Sequence, residues 1–302
     1  MSISIFDLFK IGIGPSSSHT VGPMVAANTF LKGLQEKGVL GAVDSISVDL
    51  YGSLGATGKG HGSGKAILLG LMGEKPDEVD VAKVQDIIAE ILDTKKIKLA
   101  GTTSIDFDYE TDITFHRKRS LPFHANGMML TACDASEDIL LEKIYYSVGG
   151  GFVVDDSERD QAQSPIKQND TVLPYPFSTG DELLALCEKE NLSISEIMMR
   201  NECVWHSEEK VREKLLKIWQ VMQESVDAGC KNTGILPGGL KVKRRAAELC
   251  HSLENELTHD QYNQGSMDWV NLFALAVNEE NAAGGRVAVS YTHLRAHETS
   301  RA

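Results

Sequence analysis

The sequence predicts an α+β N-terminal domain followed by an all-helical domain. Three features carry that expectation: a strand, glycine loop and helix in succession over residues 46–71, a polar stretch marked by prolines near 156–180, and an apolar period of helical length beyond it. The boundaries read as 1–155 for the α+β domain, 156–180 for a linker, 181–287 for the helical part and 288–302 for a tail of different character.

Taken in order, Ser16 to Ser18 stand where capping hydroxyls belong, ahead of a helix beginning near Val21. Ile46-Ser47-Val48-Asp49-Leu50-Tyr51 alternates apolar and polar side chains as a half-buried strand does. It runs into glycine-rich residues 52–64, predicted as a loop with open backbone, and residues 65–71 read as a helix. Residues 81–92 are amphipathic and helical, and 112–116 form a strand. Residues 127–133 and 139–147 suggest continued α/β alternation up to Gly149-Gly150-Gly151. The linker is polar and charged, with Pro165, Pro174 and Pro176.

Beyond it, residues 182–190 are helical and Ser193-Ile194-Ser195-Glu196 is a capping box that opens the next helix. Val211, Leu215, Ile218, Trp219, Met222 and Val226 recur at helical spacing with Glu and Lys between them. Residues 269–277 read as a helix buried on most sides, and the polar, glycine-containing stretch Asn278 to Arg286 suits a helix C-terminus. The basic run Lys241, Lys243, Arg244 and Arg245 reads as a solvated helix face.

A formal charge of −13 opposes binding to nucleic acid or an anionic membrane. No apolar run reaches the ~18 residues of a membrane span, and the N-terminus lacks the blocks of a signal peptide, so a cytoplasmic location is expected. The five cysteines, Cys133, Cys187, Cys203, Cys230 and Cys250, are widely spaced without a C-x-x-C pair and read as reduced thiols rather than a metal set.

Chemistry concentrates in Gly14-Pro15-Ser16-Ser17-Ser18-His19-Thr20 and Gly58-Lys59-Gly60-His61-Gly62. Hydroxyls and open amide N–H groups beside a helix start can hold a carboxylate or phosphate, and an imidazole there can move a proton near neutral pH. One serine suffices for capping, so three of them beside a histidine point to a ligand site.

These two segments, with Phe123-His124-Ala125-Asn126-Gly127-Met128, Ser147-Val148-Gly149-Gly150-Gly151, Gly234-Ile235-Leu236-Pro237-Gly238-Gly239-Leu240 and Asn278-Glu279-Glu280-Asn281-Ala282-Ala283-Gly284-Gly285-Arg286, occur in an order that closely resembles bacterial iron–sulfur-dependent L-serine dehydratases, also called L-serine ammonia-lyases. The resemblance implies a single-chain lyase with a small α+β domain before a helical catalytic domain, a 4Fe–4S cluster, no pyridoxal phosphate, and conversion of L-serine to pyruvate and ammonia. L-Serine is then the small-molecule partner, with no nucleic acid or membrane among the partners and a homodimer as the assembly to test.

Elimination of water from serine needs a base for the Cα proton and an acid or Lewis acid for the β-hydroxyl. His61 or His19 is expected to move the proton. Ser16, Ser17, Ser18, Thr20 and Lys59 are the expected substrate contacts, and the resemblance adds His124, Asn126, Asn281 and Arg286. It also implies that the cluster cysteines lie beyond residue 287, none within this chain, so that the chain alone is expected to be an inactive fragment. His293 and His297 have the spacing of two zinc ligands on a helix but lack a third.

Two other readings compete. The Ser/His segments equally suit a non-catalytic module that binds serine or another small anion, as in the regulatory domains of some phosphoglycerate dehydrogenases. Residues 183–199 have the rhythm of a helix-turn-helix, but Glu188, Glu190, Glu196, Glu202, Glu208 and Glu209 crowd a region where phosphate contact requires Lys and Arg.

Overall fold

A computed structural model describes residues 4–158, 171–257 and 266–290. The expected order holds: an N-terminal α+β region is followed by a largely helical one.

The first region opens with a short helix α1 (Ile5–Leu8), strand β1 (Phe9–Ile13), a π-helical turn (Ser17–Val21) and helix α2 (Gly22–Glu36). Strand β2 (Ser45–Tyr51) leads into α3 (Gly52–Thr57), α4 (Ser63–Leu71) and α5 (Val84–Thr94). The hairpin β3 (Lys96–Leu99) and β4 (Thr103–Asp106), the turn α6 (Tyr109–Asp112), and strands β5 (Ile113–His116), β6 (Gly127–Cys133), β7 (Ile139–Gly149) and β8 (Phe152–Asp155) complete it. One five-stranded sheet, ordered β5-β2-β6-β7-β8, forms the platform, parallel only between β2 and β5.

α2 and α4 cover one face of this sheet, where Met24, Phe30, Leu34, Leu50 and Leu68 are fully buried. Side chains of that size each contribute about 1.5–3 kcal/mol when removed from water. The other face is polar and partly solvated, which the alternation of β2 encodes: Ile46, Val48 and Leu50 point inward and Ser45 and Ser47 outward.

Two expectations shift here. Residues 127–133 and 139–147 are neighbouring antiparallel strands rather than alternating α and β elements. The glycine-rich loop also begins with a helical turn and a half, α3, before the tight turn at 58–62.

The second region holds α7 (Gly180–Glu190), α8 (Ile194–Glu202), α9 (Glu208–Lys231), α10 (Ala246–Leu257) and α11 (Ser266–Ala283). The capping box at Ser193 and Glu196 forms as read, and Thr179 with Glu182 makes a second one. α9 crosses α11 closely because Gly229 has no side chain: a Cβ there would meet the Ala276 carbonyl at 2.4 Å.

α11 differs from its expectation, since only one face is buried, through Leu272 and Ala276, while Val270 and Phe273 are exposed. The region is also not wholly helical. Strand β9 (Arg286–Ser290) returns to pair antiparallel with β1, from Phe9↔Ser290 to Ile13↔Arg286, so residues 288–290 of the expected tail lie in this ladder. Residues 159–170 of the expected linker, and His293 and His297, lie outside the described residues. Among the described residues no helix is long and apolar enough to cross a membrane.

Candidate functional site

β1 delivers the serine segment to the seam between the two regions, and its ladder with β9 fixes the far side of that seam. The Gly14 N–H donates to the Gly285 carbonyl at 3.0 Å, and Asn281 Nδ2 donates to the Pro15 carbonyl at 3.1 Å. The C-terminus of α11 is thereby sewn to the start of the serine segment. Between them opens a cleft of about 740 Å³, walled by residues 13–15 and Thr20, the turn Lys59–Gly62, the start of α4, the end of α9 and the end of α11. A cleft of this size suits a small metabolite with ordered water.

Within the segment most polar groups satisfy one another. Ser16 Oγ accepts the His19 N–H at 3.2 Å and thereby caps the turn, Ser18 Oγ bonds His19 Nδ1 at 2.8 Å, and Ser53 Oγ bonds His19 Nε2 at 3.0 Å. Thr20 Oγ1 donates to the His61 carbonyl at 2.8 Å, which ties the two motifs together, and Ser63 Oγ donates to the His19 carbonyl at 2.5 Å. Ser17 is buried, and its hydroxyl has no hydrogen-bond partner among the described residues.

Four of the five amide groups expected to be open at residues 58–62 bond within the turn or to α3. The N–H groups of Gly60 and His61 bond back to Thr57, and that of Ser63 bonds to Gly58.

The two imidazoles lie 5.0 Å apart between ring centroids and differ in character. Burial, reinforced by the proximity of His61, lowers the His19 pKa from 6.5 to about 4, so this ring is neutral at physiological pH. His61 is half-buried on the cleft wall, and its Nδ1 lies 3.0 Å from the Thr57 carbonyl. A carbonyl only accepts, so Nδ1 carries the proton and Nε2 of the neutral ring keeps its lone pair.

The lowered His19 pKa has a consequence for folding. At pH above 6.5 the ring is neutral in both folded and unfolded chains. Between 6.5 and about 4 only the unfolded chain takes up the proton, so stability falls as pH falls, by roughly 3 kcal/mol across that window. His19→Gln is expected to flatten this part of the stability profile, measured by urea unfolding at pH 7 and pH 4.5. An unchanged profile would show that other groups carry the acid sensitivity.

The remaining expected residues fall into two groups. Thr20, Lys59 and His61 line the cleft, with Lys59 also 3.5 Å from Glu110. The others stand behind it. Asn126 is buried and donates to the Ser147 carbonyl at 3.0 Å, while His124 Nδ1 accepts the Asn126 N–H. Ser147 Oγ in turn donates to the Ser18 carbonyl at 2.7 Å, so this pair reaches the serine segment through β7. The Arg286 guanidinium donates to the carbonyls of Asp77 and Val79 and fastens β9 to that loop. Thr20→Val, which removes the link to His61, is expected to cost about 1–2 kcal/mol of stability and to weaken ligand binding, checked by melting and calorimetry.

Sequence reasoning missed Arg244, Glu280 and Asn232. The basic run is not a helix face: it lies in the loop ahead of α10, and Arg244 turns inward to pair with Glu280 in the cleft, where both side chains are 9% exposed. Asn232 Nδ2 donates to the same carboxylate at 2.9 Å. The adjoining Glu279 accepts the N–H groups of Arg245 and Ala246 at the start of α10. The signal was present as two acidic residues near the end of α11, but the guanidinium that Glu280 pairs with lies 36 residues earlier in the chain.

The thiols do not form a cluster site. Cys133 is in β6, Cys187 in α7, Cys203 is exposed at the end of α8, and Cys230 faces Cys250 between α9 and α10. Burial and the Cys250 thiol push the Cys230 pKa up to about 12, which opposes the thiolate form a metal requires. Among the described residues no three His, Cys, Asp or Glu side chains converge on a point that could hold a metal.

Comparison with known proteins agrees with both regions. The family described as serine dehydratase beta chain matches residues 4–158, and that described as serine dehydratase alpha chain matches residues 189–293. An L-serine dehydratase of Streptomyces coelicolor is 53% identical over 293 residues, covering 97% of this chain and 63% of the relative. L-Serine dehydratase 1 of Escherichia coli is 45% identical over 294 residues, covering 96% and 63%, and an L-serine dehydratase of Helicobacter pylori is 39% identical over 293 residues, covering 97% and 63%. The chain thus spans a little under two thirds of the length of these curated relatives. With both family matches falling on the regions that build the cleft, this chain belongs to the serine dehydratase family.

Proposed function

We propose that the cleft binds L-serine and that, in a chain of the length of its relatives, it serves the conversion of L-serine to pyruvate and ammonia. The observation that carries the reading is His61: its Nδ1 proton is engaged by the Thr57 carbonyl, and its ring stands on the wall of a cleft built from both family regions. Neutral His61 takes the Cα proton on Nε2. The β-hydroxyl leaves as water, the resulting aminoacrylate tautomerises to the imine, and hydrolysis of the imine returns one water and releases ammonia and pyruvate. His19 is a poor base at neutral pH, since its pKa is about 4 and both ring nitrogens already meet hydroxyls, and it serves to orient the segment.

Lys59 and Thr20 are assigned to the substrate side, and Ser16 to capping the turn that carries His19. Ser17, Ser18, His124, Asn126, Asn281 and Arg286 are assigned to holding the walls in place. Departure of the β-hydroxyl calls for an acid or Lewis acid, the role that a 4Fe–4S cluster has in enzymes this chain resembles. The described residues do not fit such a cluster, and what is assigned to them is binding and proton transfer.

That misfit favours a second reading for the chain as given, in which it binds L-serine without turning it over. Calorimetric titration with L-serine, run beside a pyruvate assay after anaerobic iron–sulfur reconstitution, separates the two. Binding without pyruvate supports the cleft assignment and the second reading for this chain. Pyruvate formation would show that its own residues suffice for turnover. Absence of any binding would remove the cleft assignment. A full-length counterpart is expected to release pyruvate without added pyridoxal phosphate and to lose that activity when iron is chelated.

A further inference from the structure

The ion pair in the cleft wall has a property that the proposed function does not use. Arg244 and Glu280 are both nearly buried, yet their bonding is one-sided. Asn232 Nδ2 and Arg244 Nη1 both donate to the same oxygen, Glu280 Oε1. Neither Glu280 Oε2 nor the other guanidinium nitrogens belong to the buried polar atoms that lack partners, although both residues line the cleft. A structural tie between α11 and the loop before α10 would be complete with the bonds to Oε1 alone. Glu280 Oε2 and the remaining guanidinium nitrogens make no hydrogen bond among the described residues, and both residues line the cleft.

We propose that this pair is the specificity element for the zwitterionic head of an α-amino acid, Glu280 accepting the ammonium and Arg244 receiving the carboxylate. The assignment rests on the reading of the cleft as an L-serine site. The two charges of such a substrate sit on one carbon and its neighbour, a separation that a carboxylate and a guanidinium already in contact can match. Set antiparallel to the pair, each substrate charge meets its opposite in a low-dielectric wall where such contacts are strong. The turn at 58–62 bonds the N–H groups of Gly58, Gly60, His61 and Gly62 internally, which leaves few backbone donors there for the carboxylate.

Asn232 is a positioning residue here, since its bond to Oε1 orients the carboxylate. An analogue without the ammonium leaves Glu280 Oε2 facing a hydroxyl or nothing. The site then discriminates against it because a desolvated charge is left unpaired.

The test is titration calorimetry of the chain and of Glu280→Gln with L-serine and with glycerate, which carries a hydroxyl where serine carries its ammonium. Gln keeps an oxygen for Asn232 and Arg244 while removing the charge. The expected result is that wild type prefers L-serine and that Glu280→Gln weakens L-serine by roughly tenfold to a hundredfold, with glycerate affinity unchanged or improved. A melting curve accompanies each variant. Arg244→Lys serves as the second variant, expected to weaken both ligands because both carry a carboxylate.

Equal losses for the two ligands in Glu280→Gln would overturn the proposal in favour of a purely structural pair. So would unchanged L-serine affinity. If wild type binds neither ligand, the reading of the cleft itself fails, a result distinct from the other two.

Discussion

In a chain of the full length of its relatives, His61→Ala is expected to lower kcat for pyruvate formation about a hundredfold or more, the contribution of a positioned acid–base group. Cys133→Ala and Cys187→Ala are expected to leave kcat within about twofold, since neither thiol lines the cleft and half-buried substitutions of this kind act on stability. The contrast follows from placement. His61 stands on the cleft wall with its ring fixed by Thr57, whereas Cys133 lies in β6 and Cys187 in α7. Turnover is read alongside a melting curve, so a folding defect is not taken for a catalytic one. Near-normal turnover by a well-folded His61→Ala protein would transfer the base role to His19.

A large stability effect is expected from Gly22→Ala at the start of α2. A Cβ there would fall 1.9 Å from Ser147 Oγ, in a site where Ser147 is fully buried and donates to the Ser18 carbonyl. Backbone and side chain on both sides are fixed by further bonds, so the methyl group forces α2 and β7 apart and breaks that hydrogen bond. Overpacking together with a lost buried bond is expected to cost about 2–5 kcal/mol, measured by urea unfolding. Gly41→Ala is the control, because nothing lies within 4 Å of a Cβ there, and its stability is expected to stay within about 0.5 kcal/mol of wild type. Equal stability of the two variants would mean that the seam tolerates displacement.

Local chemistry explains what was legible beforehand. The alternation in Ile46–Tyr51 and the capping box at Ser193 and Glu196 are encoded by neighbours in sequence, and both formed as read. Ser16 caps through a hydroxyl three residues from the N–H it accepts, again a local matter.

What was not legible depended on distant partners. Residues 127–133 and 139–147 have apolar runs that suit several elements, and only their pairing with each other and with β2 makes them strands. Arg244 sits in a basic run whose local pattern says solvent, but a carboxylate on α11 turns it inward. The outer face of α11 carries Val270 and Phe273, and composition alone could not separate an apolar helix with one buried face from one buried all round. In the site, the two histidine motifs were recognisable from residue types. That their hydroxyls and amides would bond mostly to one another was a property of the folded turn.

The pairing of β1 with β9 imposes an order on assembly. The strand that positions Ser16 to Thr20 emerges first from the ribosome, yet its partner is made more than 270 residues later. The sheet β5-β2-β6-β7-β8 closes with residues up to 155 and can form while synthesis continues. The serine segment, in contrast, waits for residues 281–290 before Gly14, Pro15 and β1 gain their partners. Such long-range closure is slow compared with helix and hairpin formation. The cleft is accordingly the last feature of this region to mature, and a nascent chain would hold a folded platform well before it could hold a ligand.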